Sequence, residues 1–169
     1  MSSAFSDDDA PVAPVTSRGR DWPCLRQFIV FLENRVGSLH DLLRRVERDD
    51  LKIVALTIND SSDCAVARII VDNYERAHEL LTFAGVHMFE TDVIGVLLPA
   101  SEQPHTSVLG RLMSAELNVH YVYPMMYRKQ GRGAVAVYVE ERDEALRVLK
   151  EQGYELVTED DLLHHDEFF

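Results

Sequence analysis

The segment Glu33–Leu39 contains residue types suited to binding a small carboxylate. Ser38 and Asp41 have the Ser-x-x-Asp spacing of a helix start. A helix start presents backbone N–H groups without intrahelical partners, together with the positive end of the helix dipole, and these bind carboxylates. Gly37 allows a tight turn or the close approach of a ligand to the backbone. Asn34 can donate and accept hydrogen bonds, so it suits a carboxylate or an ammonium group.

A purely structural interpretation of the same segment stays open on residue types alone. In that interpretation Gly37 only permits the turn and Ser38 only caps the helix. The two interpretations make different predictions for ligand binding but the same prediction for the fold.

Other residues offer less support for chemistry. His164 and His165 precede Asp166 and Glu167 and could bind a metal ion, but the sequence has no second cluster to complete such a site. Cys64 could act as a nucleophile, yet no spacing selects a histidine partner for it. Glycine-rich phosphate loops, zinc-protease motifs and serine-hydrolase motifs do not occur in the sequence. We therefore predict no enzyme activity, no metal site and no cofactor.

The charge and apolar content exclude two further classes of protein. The chain has 29 acidic and 17 basic residues, for a net charge of −12, which disfavours general nucleic-acid binding. Its longest apolar runs, such as Val93–Leu98, are far shorter than the ~20 residues of a membrane-spanning helix. The two cysteines, Cys24 and Cys64, have no C-x-x-C spacing, and the N-terminus lacks a signal-peptide pattern. We expect no membrane association and a cytoplasmic location.

Apolar patterns predict the elements that position the loop. They follow the order βαββαβ, which is the ferredoxin-like arrangement. A helical stripe at spacings of three and four residues begins after Ser38, and a second stripe ends at Gly85. The predicted strands are apolar segments that lie before, between and after these helices: Leu25–Leu32, Leu51–Ile58, Cys64–Val71 and a fourth that begins at Val86.

The same pattern occurs a second time. At an offset of 66 residues Val46 aligns with Leu112, and beyond the hairpin, at an offset of 68, Leu81 aligns with Leu149. A two-residue insertion at Arg128–Arg132 explains the change of offset. We predict two tandem units, residues 21–92 and 93–158, that join without a linker because the last strand of the first runs into the first strand of the second. We further predict a disordered acidic arm at residues 1–20 and an acidic tail at residues 159–169.

The segment Phe31–Leu39 resembles the start of an ACT domain, a small amino-acid-sensing module of metabolic regulators. Asn34, Gly37 and Leu39 match the Asx-x-x-Gly-x-Leu pattern that joins strand one to helix one in that family. Similar strand segments follow at Ile53–Ile58, Ala67–Asp72 and Thr91–Val96. Over roughly residues 25–157 the chain looks most like a stand-alone tandem ACT protein. The resemblance implies an α+β fold in which the two units form a side-by-side, eight-stranded antiparallel sheet with helices on one face.

The resemblance also implies a ligand site. An amino acid would bind between the loop that enters the first helix and the second strand of the neighbouring unit, which our alignment places at residues 118–123. Packing of aromatic side chains across strands is an equally open interpretation of that strand. The corresponding loop of the second unit has Ala100 and Gln103 instead of Asn and Gly, so we predict one ligand per chain. The predicted ligand-binding residues come from the first loop and from the strand: Asn34, Arg35, Val36, Gly37, Ser38, Leu39, His120, Tyr121 and Tyr123.

These observations lead to three hypotheses about function. The leading one is a non-enzymatic, amino-acid-binding regulatory protein of amino acid metabolism. The alternatives are a regulatory small subunit of a biosynthetic enzyme such as acetolactate synthase, and a ligand-free interaction module. The strand Leu51–Ile58 has apolar residues on both faces, and helices can cover only one of them. We therefore also predict a homodimer in which a second subunit covers the other face.

Overall fold

The computed structural model describes residues 22–61 and 63–164. Within these ranges strands and helices alternate along the chain, as the repeated βαββαβ pattern predicts. The elements follow in the order β1 (Leu25–Glu33), α1 (Ser38–Val46), β2 (Ile53–Asp60), β3 (Cys64–Val71), α2 (Tyr74–Phe83), β4 (Met88–Leu97), α3 (Pro104–Ser114), β5 (Val119–Lys129), β6 (Arg132–Val139), α4 (Arg142–Glu151), β7 (Leu156–Val157) and α5 (Glu159–Leu163).

Local sequence explains where the first two helices begin and end. In α1 the buried residues are Ser38, Leu42 and Val46, which recur every four residues and form the side that faces the sheet. The helix α2 begins after Asn73, whose side chain accepts a hydrogen bond from a backbone N–H of the first turn. It ends before Gly85, whose φ of 68° is the left-handed conformation common just after a helix.

One strand is common to both repeats. The sheet is antiparallel, with the strand order β2-β3-β1-β4-β6-β5, and β7 pairs with β4. Residues Met88–Val93 of β4 pair with β1, whereas Ile94–Leu97 pair with β6. The predicted tandem ferredoxin-like α+β fold is confirmed. The described sheet has seven strands and not the predicted eight, because β4 is both the last strand of the first unit and the first strand of the second.

The sheet curls until its two end strands meet. β2 and β5 stand at opposite ends of the strand order, yet they contact each other. Helices α1 to α4 lie on the outer face, where α1 and α2 bury a cluster around Leu81 and α3 and α4 bury a second cluster around Leu149. The inner face encloses a third cluster, in which Ile70 of the first unit packs with Met125 of the second. The core therefore has three parts, two outside the curl and one inside it.

The inner face is thus covered within a single chain. A shift of register in β2 between Ile53 and Ala55 places both Val54 and Ala55 in the inner cluster with residues of β5. A second subunit is not needed to cover this face, contrary to the expectation from the sequence, because the second unit covers it. Leu56 and Ile58 stay partly exposed near the end of β2. The homodimer itself remains a prediction.

The C-terminal part of the described chain is a docked helix. Thr158 and Asp161 form a capping box at the start of α5, and Leu162 is 1% exposed in the inner cluster. Glu159 lies 2.5 Å from Arg26 of β1 in a largely buried ion pair. The segment predicted as an acidic tail therefore begins with a helix. Its acidic residues occupy the first helical turn, where they complement the helix dipole.

Two parts of the sequence interpretation lie outside the described residues. These are the predicted arm at residues 1–20 and the final residues 165–169, which include His165, Asp166 and Glu167 of the histidine–acid cluster. The predicted boundary between residues 92 and 93 falls within β4, whose pairing partner changes after Val93. Among the described helices, none combines the length and the apolar character needed to cross a bilayer.

Candidate functional site

The loop between β1 and α1 is held in a turn by its own backbone. The N–H of Arg35 donates to the carbonyl of Glu33 at 2.8 Å, and the N–H of Ser38 donates to the carbonyl of Arg35 at 3.3 Å. Gly37 then enters the helix with φ at 94°. This conformation, and not a lack of space, requires glycine, because a Cβ built at Gly37 would meet nothing within 4 Å.

Among the described residues, no side chain caps the N-terminus of α1. Gly37 is the N-cap residue and Ser38 is the first helical residue, so the capping box predicted from Ser38 and Asp41 does not form. The physical reason is the position of the serine: an N-cap side chain must precede the first turn, and Ser38 already lies within it. The N–H of Ser38 already donates to Arg35, so the N–H groups of Leu39 and His40 and the positive end of the helix dipole are what α1 offers to an anion.

Ser38 has a buried hydroxyl group with no hydrogen-bond partner. The residue is 9% exposed, and its Oγ atom makes no hydrogen bond within the described chain. It belongs to the buried side of α1 together with Leu42 and Val46. Buried polar groups are almost always paired, because an unpaired one retains the cost of its desolvation. This hydroxyl is therefore the feature of the loop that most needs a partner.

Ser38 lines a groove of about 240 Å³, which we call the α1 groove. Its walls come from three elements: the end of β1, the first two turns of α1, and the turn between α2 and β4. Arg45 fixes two of these walls, because its guanidinium donates to the carbonyl of Ala84 at 2.8 Å. The lining residues are Val30, Phe31, Leu32, Glu33, Arg35, Ser38, Asp41, Leu42, Arg45, Ala84, Gly85, Val86 and His87.

The other predicted loop residues have different surroundings. The side-chain amide of Asn34 donates to the carbonyl of Ser61 at 3.4 Å, which ties the loop to the turn between β2 and β3. Arg35 pairs with Glu33 at 2.9 Å on the surface. Val36 is fully exposed, and Leu39 is partly buried on α1. Of the six predicted loop residues, Arg35 and Ser38 line the α1 groove, and Asn34, Val36, Gly37 and Leu39 do not.

The predicted strand residues lie inside the curled sheet. Tyr123 donates to Oε1 of Gln27 at 2.5 Å, while the amide of Gln27 donates to Tyr121 at 2.5 Å and to Thr91 at 2.7 Å. Gln27 is 0% exposed, so these bonds satisfy a polar group in the middle of the core. Burial raises the pKa of Tyr123 above its usual range, and the neighbouring Tyr121 adds to the shift. The hydroxyl of Tyr123 is therefore a neutral donor at physiological pH.

His120 lies apart from this network. It is on β5 with its ring near that of Tyr138, at 5.6 Å between centroids, and its Nε2 is 3.7 Å from a carboxylate oxygen of Glu140. The guanidinium of Arg68 lies over the ring of Tyr121 at 4.4 Å. The surroundings of His120 and Tyr121 are thus those of packed aromatic side chains, as the structural interpretation of this strand proposed.

The structure does not bring the two halves of the predicted site together within one chain. Gln27, which binds Tyr121 and Tyr123, lies near the start of β1, whereas the loop follows Glu33 at its end. Six residues of strand separate these points, which is about 20 Å. The loop and the tyrosines are therefore two separate places in the fold.

Sequence reasoning missed Gln27 and the turn Ala84–His87. A signal for Gln27 was present, because a glutamine inside the apolar run Leu25–Leu32 must find hydrogen-bond partners if the strand is buried. No comparable signal marked Ala84–His87, whose place beside α1 depends on how the helices pack.

Comparisons with known proteins agree with this architecture. The family described as ACT domain pair matches residues 24–165. The chain belongs to the ACT domain family. A crystal structure of a Bacteroides thetaiotaomicron protein is similar over 85% of this chain and 98% of that one, with a TM-score of 0.75 and 25% identity. The ligand-free regulatory subunit of aspartate kinase from Thermus thermophilus is similar in fold over 76% of this chain and 92% of that one, with a TM-score of 0.52 and 12% identity. No curated protein matches the chain.

The two ACT units differ at the loop that leads into their first helix. In the second unit α3 starts with Pro104, which has no backbone N–H to offer an anion. The hydroxyl of Ser107 donates to the carbonyl of Gln103 at 3.0 Å, so it already has a partner. Only the first of these two loops combines an open helix start with an unpaired buried hydroxyl.

The described part of this ACT pair shows no grouping suited to a metal ion. Across residues 22–61 and 63–164, no three His, Cys, Asp or Glu side chains lie close enough together to hold one. ACT domains are regulatory, amino-acid-binding modules.

Proposed function

We propose that the protein is a non-enzymatic regulatory sensor that binds one free α-amino acid in the α1 groove. The observation that carries this proposal is the Ser38 hydroxyl, which is buried, has no partner among the described residues and lies beside the uncapped N-terminus of α1. A buried polar group without a partner costs ~1–3 kcal/mol, and a ligand that bonds to it recovers that free energy.

The groove offers a partner to each end of a zwitterion. The N-terminus of α1 lies beside the groove through Ser38, and its dipole favours the negative charge of a carboxylate. Glu33 and Asp41 line the same groove and can accept from an ammonium group. The hydroxyl of Ser38 can then bond to a further polar group of the ligand. We therefore propose an amino acid with a short polar side chain in preference to a large apolar one, since the groove measures about 240 Å³.

Ligand binding in this groove would link three elements of the first unit. A ligand that touches the end of β1, α1 and the turn Ala84–His87 stabilises the arrangement in which all three are close. The size of this population shift depends on how much more tightly the ligand binds that arrangement than the arrangements in which the three elements are apart. We propose that another protein responds to this shift, in the cytoplasm, and that the chain acts as a homodimer.

A second candidate function is that of a dedicated regulatory subunit of an amino-acid biosynthetic enzyme. The Thermus thermophilus neighbour is a regulatory subunit of aspartate kinase, which supports this candidate through shared fold alone. Co-purification of a catalytic subunit with the tagged chain would favour this candidate over a free-standing sensor. Added amino acid should then either release that subunit or change its activity.

A thermal-shift screen of the full chain against the twenty amino acids tests the proposed function. We expect one amino acid, or a few related ones, to raise the melting temperature. The variant Ser38→Ala should lose most of that rise, whereas Ser107→Ala, at the hydroxyl already bonded to Gln103, should keep it. A screen in which no amino acid raises the melting temperature would refute the sensor, and an equal response in Ser38→Ala would refute this site.

A further inference from the structure

Three arginines at the end of α1 lie beside an exposed aromatic ring of α2. The groove between these two helices measures about 470 Å³, and its lining is Asp41, Arg44, Arg45, Arg48, Leu80, Phe83 and Ala84. Three guanidinium groups thus share this lining with one carboxylate. We call the surface formed by these seven residues the α1–α2 patch.

Carboxylates of the described chain do not neutralise these three arginines. Arg45 donates to the backbone carbonyl of Ala84 at 2.8 Å, and Arg48 donates to that of Glu47 at 2.7 Å. Within residues 22–61 and 63–164, the arginines that form ion pairs are other ones. Because the chain as a whole has a net charge of −12, this local positive charge suits an acidic partner.

Phe83 gives the patch an apolar part. Its side chain is 95% exposed. A second groove, of about 600 Å³, borders the same ring, and its lining is Arg76, His78, Glu79, Leu80, Thr82 and Phe83. Exposed apolar groups rimmed by polar residues mark interaction sites. A segment that fits the patch should therefore combine an apolar side chain with several carboxylates.

The chain itself contains a segment of this composition. Phe5 is followed, after one serine, by Asp7, Asp8 and Asp9. These residues lie outside the described part of the chain. One aromatic ring and three carboxylates in the segment correspond to one aromatic ring and three guanidinium groups in the patch.

The length of the chain allows this segment to reach the patch. In β1 the guanidinium of Arg26 lies 3.5 Å from the ring centroid of Tyr74, the first residue of α2. Phe83 is the last residue of the same helix, about 14 Å further along its axis. Residues 10–25 join Asp9 to Arg26, and a chain of that length can extend to about 50 Å.

We propose that the segment Phe5–Asp9 binds the α1–α2 patch of its own chain. Its phenylalanine packs against Phe83, and its three carboxylates lie opposite Arg44 and Arg48. For these five residues the proposal replaces the expectation of a disordered arm. The bound segment covers the exposed ring and neutralises the arginines, so it closes this face to other acidic proteins.

Attachment to the same chain favours this occupant over a separate acidic protein. The net charge of −12 repels an acidic partner as it approaches, and association with a separate molecule also costs translational freedom. A tethered segment is already present at an effective concentration on the order of millimolar. A few exposed ion pairs and one aromatic contact, each weak alone, are then sufficient to hold it.

Disulfide formation within the full chain tests the position of the segment. In a Cys64→Ser background the remaining native cysteine, Cys24, is buried. Ser6→Cys is combined either with Thr82→Cys, in the second groove, or with the control Met113→Cys on α3, which is 63% exposed. We expect the pair with Thr82→Cys to oxidise about tenfold faster than the control pair, a preference of the size that a few weak contacts produce.

Removal of charge tests what holds the segment. Asp7→Asn, Asp8→Asn and Asp9→Asn together should abolish the preference, as should ~1 M salt, where the Debye length falls to ~3 Å. The matched control removes three exposed carboxylates of the second unit, through Glu102→Gln, Glu116→Gln and Glu140→Gln. The control should keep the preference.

Equal oxidation rates for the two cysteine pairs would overturn the proposal, because the segment would then not favour the patch. A preference that survives the three Asp→Asn substitutions would also overturn it. So would a covalent dimer as the main product, since the patch would then hold the segment of a second copy. These measurements use no amino acid, so their outcome is independent of the proposed function.

Discussion

At the residue scale, the backbone of Gly37 determines how the chain enters α1. Its φ of 94° is a conformation that residues with a side chain adopt at a cost of ~1–2 kcal/mol. The open space around its Cβ position means that this strain is the whole local cost. The turn that aims the α1 N-terminus at the groove therefore depends on one glycine.

We predict that Gly37→Val lowers the free energy of unfolding by about 1–2 kcal/mol and abolishes the response to the ligand. The reason is that a β-branched residue would move the loop toward negative φ and turn the first N–H groups of α1 away from the groove. Thermal unfolding with and without amino acid measures both effects. Gly110→Ala on α3, also with nothing near its Cβ position, is the control and should keep the full response.

Tyr123 supplies a hydrogen bond that the core cannot replace. Its hydroxyl donates to Oε1 of Gln27, a residue with no exposure to water. Tyr123→Phe should therefore lower the free energy of unfolding by about 1–3 kcal/mol, because it leaves a buried carbonyl oxygen without a donor. Tyr138→Phe keeps the ring stacked on Tyr121 and should cost far less. Equal losses in chemical denaturation would contradict the role given to this bond.

The raised pKa of Tyr123 also predicts how the stability of the fold changes at alkaline pH. Burial raises the pKa of Tyr123 in the folded chain above the unfolded value of about 10. The folded state thus favours the protonated form, and this contribution to stability is complete below pH ~10 and is lost as pH rises through the folded pKa. The free energy of unfolding, measured by chemical denaturation between neutral pH and pH ~11, should fall less with rising pH in Tyr123→Phe than in the native chain.

At the element scale, periodicity predicted the strands, the first four helices and the repeat, because each depends on residues close in sequence. The curl of the sheet is different. It brings Gln27 to Tyr121 across 94 residues, and no local pattern encodes that contact. The turn at Gly37 depends on residues close in sequence, whereas the position of β5 relative to that turn depends on the whole sheet.

The helix α5 was missed because its acidic first turn looks like a solvated tail. Its position is set by one apolar residue, Leu162, inside the curled sheet, and by the ion pair of Glu159 with Arg26. An acidic run followed by paired leucines is therefore compatible with a docked helix when a capping box precedes it.

We predict that Leu162→Ala lowers the free energy of unfolding by about 2–5 kcal/mol, since it opens a cavity in the inner cluster that both units share. Leu163→Ala, at the partly exposed neighbour, should cost much less. Denaturant unfolding of both variants gives the comparison. Similar losses at the two positions would mean that α5 is not docked through Leu162.

At the scale of the whole molecule, β4 makes the two units inseparable. It is a strand of both units, and the inner cluster takes residues from both, including Val54 of the first and Tyr127 of the second. We infer that the chain unfolds as one cooperative unit. A ligand held by the first unit alone would then stabilise the entire chain, so a single site can change the state of the whole protein.

The two units nevertheless differ in what they offer a ligand, and this predicts a stoichiometry of one amino acid per chain. The first loop has the open helix start and the unpaired hydroxyl of Ser38. The second has Pro104 without an N–H, a Ser107 hydroxyl already bonded to Gln103, and the negative charge of Glu102 beside them. Isothermal titration should therefore give one site per chain, with a stabilisation of about 2.7 kcal/mol when the ligand is at 100 times its dissociation constant. Two sites of similar affinity per chain, or a site that survives Gly37→Val, would show that the second loop binds as well.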